Sequence, residues 1–79
     1  MNVPLINNLS QHIRIVDGRN EATPKALGEL ISNWLDNAGH ELPREPVIAF
    51  VERTNPDKQM GAGRLAELIV DEFDLDDEG

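Results

Sequence analysis

Carboxylates are the residues best placed to do chemistry in this 79-residue chain, and they crowd its end. Glu67, Asp71, Asp74 and Glu78 follow one another at spacings of four, three and four, so a continuous helix would carry all four on one face. Glu72, Asp76 and Asp77 add to the same segment, and no Lys or Arg occurs after Arg64. Like charges four residues apart destabilise a helix by a few tenths of a kcal/mol per pair. Acids in a last turn also oppose the macrodipole, by roughly 0.3 to 1 kcal/mol each. A row of carboxylates kept at that expense can clamp an Arg/Lys patch or imitate the phosphates of a nucleic acid. The plainer reading is a solubilising tail that frays after Phe73. The run Asp71 to Gly79 lacks the acid and glycine order of a calcium loop, so no dedicated metal site is expected there.

Other reactive types are sparse. His12 and His40 have no ligand-type partner at helical spacing, and the chain has no cysteine, so neither a zinc site nor a disulfide is expected. A Ser/His/Asp set built from Ser10 or Ser32 carries no signal, because any chain this size allows one. Lys58-Gln59-Met60-Gly61-Ala62-Gly63-Arg64 places two glycines between an apolar run and a helical pattern, where backbone N–H groups can cradle a pyrophosphate. The segment resembles the acetyl-CoA-binding stretch of the N-acetyltransferase superfamily, with Lys58, Gly61 and Gly63 in the places of its basic (or Gln) residue and two glycines. That resemblance implies an acetyl-CoA- or nucleotide-binding, fragment-like domain as a remote alternative. Trp34, among Leu30, Ile31 and Leu35, reads as a core residue or as an anchor for a partner.

These residues need a scaffold, and length restricts it to one domain spanning 1–79 with an acidic helix or tail at 65–79. Thr23 and Pro24 cap and start an amphipathic helix whose apolar stripe runs through Ala26, Leu27, Leu30, Ile31, Trp34, Leu35 and Ala38, and Gly39 stops it. A second stripe, Leu65, Leu68, Ile69 and Phe73, predicts a C-terminal helix. Ile6, Leu9, Ile13 and Val16 would suit a helix face, yet the β-branched run His12 to Val16 before Asp17-Gly18 favours a strand. Val47 to Val51, apolar without alternation and bounded by Pro46 and Asn55-Pro56, reads as a central strand. The expected fold is therefore α+β, a small α/β sandwich: a two- or three-stranded sheet with two helices, in the order β-(β)-α-β-α.

Net charge is −8, but the body up to Arg64 sets eight acids against seven bases and is nearly neutral. An acidic end without a basic stripe argues against direct nucleic-acid binding. Met1 to Ser10 lacks the features of a signal peptide, and no stretch is apolar enough for a membrane span, so a cytoplasmic protein is expected. The sequence thus points to a non-enzymatic, cofactor-free protein that binds a partner with a basic surface, as monomer or homodimer. Glu67, Asp71, Glu72, Asp74, Asp76, Asp77 and Trp34 are the expected contacts. Small acidic phage proteins that block host defence, anti-CRISPR proteins among them, are of this general type. The alternative is a structural or assembly protein, paired through a sheet edge or the Trp34 helix or serving as an accessory subunit.

Overall fold

The computed structural model describes residues 2–75 and contains four helices: α1 (Val3–Val16), α2 (Pro24–Asn37), α3 (Arg44–Thr54) and α4 (Ala62–Glu72). No strand occurs among the described residues, so the expected α+β sandwich is wrong and the fold is a helical bundle. The sheet edge proposed for homodimer pairing goes with it.

Both expected strands are helices, for a shared reason. In α1, burial falls on Leu5, Ile6, Leu9 and Ile13, a three-and-four spacing that removes one stripe from water. The β-branched residues near its end have only a weak local preference, and packing overrides it. Ile15 accordingly lies outside the stripe, 79% exposed. Asn2 caps the helix, its side-chain oxygen accepting from the N–H of Leu5 at 3.3 Å, and Pro4 sits in the first turn where a missing N–H does no harm.

In α3, Val47, Phe50 and Val51 are buried while Ala49 is exposed, again the helical period. Pro46 lies in the first turn and leaves the helix unbroken. Glu45 in that turn and Arg53 in the last match the macrodipole, a charge order that a strand would not need.

The expected helix at Thr23 forms as α2. Thr23 Oγ1 accepts from the N–H of Ala26 at 3.1 Å, and Pro24 takes the first helical position. Gly39, at φ 93°, lets the chain reverse so that His40 N–H reaches the Leu35 carbonyl at 2.8 Å and Gly39 N–H the Asp36 carbonyl at 3.1 Å.

The same C-terminal motif ends α4, with Asp74 in glycine's role at φ 54°. Leu75 N–H donates to the Val70 carbonyl at 2.8 Å and Asp74 N–H to that of Asp71 at 3.3 Å. The helix therefore stops at Glu72; of the two readings of this segment, the continuous acidic face through Asp74 does not form, and the helix ends at Phe73 as the plainer reading has it. Leu75 is pulled back into the core and makes that reversal favourable.

The helices pack α2 on α3, α1 on α4 and α1 on α2 around one core of Leu9, Leu27, Ile31, Leu35, Val47, Val51, Leu65, Ile69 and Val70. Asn2 Nδ2 donates to the Leu75 carbonyl at 3.1 Å, and Arg14 lies by Gly63, so α1 and α4 run antiparallel. Gly28 lets α2 and α3 approach: a Cβ there would stand 2.7 Å from the Ile48 Cα. No helix among the described residues is long and apolar enough to cross a membrane.

Candidate functional site

Two regions gather polar side chains: the C-terminal end of α4, and the opposite end of the bundle, where the α1–α2 and α3–α4 loops meet.

At the first, the expected contact residues divide by their partners. Glu67 is held by Arg64 one turn earlier, at 2.8 Å. Glu72 meets Arg53 of α3 at 3.4 Å, and Arg53 also lies 5.1 Å above the centre of the Phe50 ring. Phe73 packs edge-on against Phe50, with ring centres 5.8 Å apart, which fixes the end of α4 on α3. Asp71 and Asp74 are exposed and form no ion pair among the described residues. Asp76, Asp77 and Glu78 lie outside the described residues.

Trp34 is remote from these acids. It is half-buried against the core, and its ring stacks on His12 of α1 with centres 5.7 Å apart. Burial lowers the His12 pKa below the usual imidazole value, so the stack holds a neutral ring at pH 7.

At the loop end, the side chain of Lys58 reaches across two connections. Its ammonium donates to Asp17 Oδ2 and to the Ala22 carbonyl, both at 2.5 Å. The pair is buried, with side chains 10% and 4% exposed for Lys58 and Asp17. Burial alone would raise the Asp17 pKa. Hydrogen bonds from Lys58 and from the N–H of Ala22, with the Lys58 charge, outweigh it and hold the carboxyl below its ordinary value. Asn20 Nδ2 donates to the Lys58 carbonyl at 2.8 Å, and buried Asn55 accepts from Met60 N–H at 3.0 Å. Asn20 and Lys58 both adopt positive φ, 58° and 59°, a strain that these interlocking bonds sustain. Beside them lies a cleft of about 390 Å³ whose lining includes Arg14, Asp17, Lys58 and Ala62 over apolar Ile13, Leu27, Met60 and Leu65.

This arrangement corrects the reading of Lys58. The strand that should precede the glycine segment is helix α3, and the Lys58 ammonium is engaged within the protein. The loop junction itself was hidden in the sequence. Asp17-Gly18 and Asn55-Pro56 read as two turns, and nothing in their composition pairs residues 41 positions apart. Among the described residues no group of three or more His, Asp or Glu side chains is placed to hold a metal ion. Comparison with protein-family models, with curated proteins and with solved structures gives no match to this chain.

Proposed function

We propose that this chain is a non-enzymatic protein-binding domain that docks the acidic end of α4 on a basic surface of a partner protein and modulates it. The observation that carries the reading is the uncompensated pair Asp71 and Asp74 beside the C-terminal end of α4. There the macrodipole already places about half a negative charge. Neighbouring Glu67 and Glu72 face Arg64 and Arg53 in surface ion pairs, so at this end Asp71 and Asp74 are the carboxylates without a cation of their own among the described residues. Asp76, Asp77 and Glu78 extend the charge in sequence. Guanidinium groups on the partner suit this end best, because they donate two parallel bonds to a carboxylate and complement the dipole. A surface built to hold nucleic-acid phosphates has that chemistry, and the domain would compete with the nucleic acid in the cytoplasm.

Affinity capture with the wild-type chain and with Asp71→Asn/Asp74→Asn tests the proposal. A retained protein should bind nucleic acid, leave the wild type as salt rises from 50 to 300 mM, and be absent from the variant. A partner held equally by both, at either salt, contradicts it.

A further inference from the structure

The outer face of α1 differs from the rest of this acidic chain. Met1 to Val16 contain no Asp or Glu, whereas the whole sequence has 15. Two copies of a chain with net charge −8 repel least where neither presents an acid. The exposed large hydrophobic side chains among the described residues, Val3 at 50% and Ile15 at 79%, both stand on this face. Exposed Asn7 and Gln11 lie between them, so Val3, Asn7, Gln11 and Ile15 form one row at four-residue intervals. Rows of this spacing are the ridges that interdigitate when helices pack. The row also reads alike in both directions: apolar, amide, amide, apolar.

We infer that a second copy of this chain covers this face, α1 against α1, antiparallel about a two-fold axis at the level of Leu9. Such a contact presents the same patch from both copies. The axis sets Val3 opposite Ile15 of the second copy and Asn7 opposite its Gln11, twice over. Each apolar end is then covered by the other. Amides that both donate and accept satisfy one another in this register, as a polar residue fixes the register of a helix seam. Charge agrees with it. Asn2 bonds to Leu75 and Arg14 lies by Gly63, so α4 runs beside α1 with Asp71 near the level of Pro4. The two-fold brings Arg14 of one copy to the level of Pro4 in the other, on the side of α4, where it meets exposed Asp71. Neither Arg14 nor Asp71 has an ion pair within one copy among the described residues. Glu67, nearer the axis, is already paired with Arg64. One helix from each copy buries less than the roughly 1,200 Å² of stable complexes, so the pair is weak and reversible.

Sedimentation velocity of the purified chain alone, from about 10 µM to about 1 mM as suits a weak pair, tests this independently of any partner for the acidic end. The average mass should rise toward that of a dimer across the range. Ile15→Gln alters an exposed position and keeps the helix, and it should raise the dissociation constant at least tenfold. Arg14→Glu should do the same, and the charge swap Arg14→Glu/Asp71→Arg should restore the pair. Oxidative cross-linking reads the register, since the chain has no cysteine of its own. Val3→Cys mixed with Ile15→Cys should give a disulfide-linked dimer. Either variant alone should not, because its two copies of the cysteine stand about 18 Å apart along the axis. A monomer at every concentration, or a dimer indifferent to Ile15→Gln, overturns the pairing. Cross-links within either single variant, or a charge swap that restores nothing, overturn the antiparallel register.

Discussion

Replacing Lys58 by Met keeps most of the side-chain volume and removes the charge that holds the two loops together. Asp17 then remains buried, with the N–H of Ala22 still donating to its Oδ1 at 2.9 Å but no cation beside it. Stranding one member of a buried pair generally costs 3–5 kcal/mol. The surviving backbone bond and the slight exposure of the site put Lys58→Met at the low end, about 3 kcal/mol. For a domain of this size that lowers Tm by roughly 12–24 °C. The pH dependence distinguishes a lost ion pair from lost packing. In the wild type the Asp17 carboxyl titrates below its ordinary value, so its contribution is complete above the unfolded pKa and disappears as pH falls through the folded one. In Lys58→Met burial is opposed only by backbone hydrogen bonds from Ala22 and Glu21, so the folded carboxyl titrates higher than in the wild type and loses part of its stabilising contribution. The variant's deficit should therefore shrink as pH falls from 7 toward 4, and Asp17→Asn/Lys58→Met should recover part of it at pH 7. Thermal unfolding followed by circular dichroism reads all three proteins. A deficit under 0.5 kcal/mol, or one that grows on acidification, would refute the reasoning.

Three further outcomes follow from the same geometry. Gly28→Ala drives a methyl to 2.7 Å from the Ile48 Cα, a backbone atom. Strain of about 1–3 kcal/mol outweighs a helix-propensity gain of about 0.8 kcal/mol, so urea unfolding should show a net loss of about 1 kcal/mol. Emission from Trp34, the only tryptophan, should titrate with His12 at a midpoint below the usual imidazole value and become flat there in His12→Gln. Because the unfolded chain binds that proton more readily, stability should decline as pH drops through the unfolded value near 6.5. Asp74→Gly should raise stability by about 1 kcal/mol, since glycine adopts the positive φ without strain and an acid leaves the negative helix end.

Part of this architecture is legible in the sequence. Thr23-Pro24 and Gly39 bound α2 because each acts locally: a hydroxyl accepts an amide, a ring presets φ, and an absent Cβ permits a reversal. The stripe of α4 was likewise readable from Leu65 and Ile69. α1 and α3 were misread where β-branched residues cluster, since Ile13, Val47 and Val51 fit either element by type and only tertiary burial decides between them. In α3 the order of Glu45 and Arg53 was the available clue to a helix. The end of α4 falls where the plainer reading put it, at Phe73, but the way it ends was hidden, because Asp74 takes a conformation associated with glycine or asparagine and the buried Leu75 that favours it has no local signature. Lys58 shows the limit most plainly. Its partners Asp17 and Ala22 belong to another loop, and long-range electrostatic pairing leaves no periodic trace in one sequence.

Binding by the acidic end of α4 is tested most directly by the affinity of the captured partner for wild type and for Asp71→Asn/Asp74→Asn, measured side by side at low and moderate salt. Asparagine tolerates the positive φ at 74, so the variant keeps its fold and should unfold slightly later than the wild type. Affinity should drop by at least tenfold in the variant at low salt, and the two proteins should converge as salt rises. Equal affinity at low salt would contradict the proposal and leave Asp71 and Asp74 as solvated charge alone.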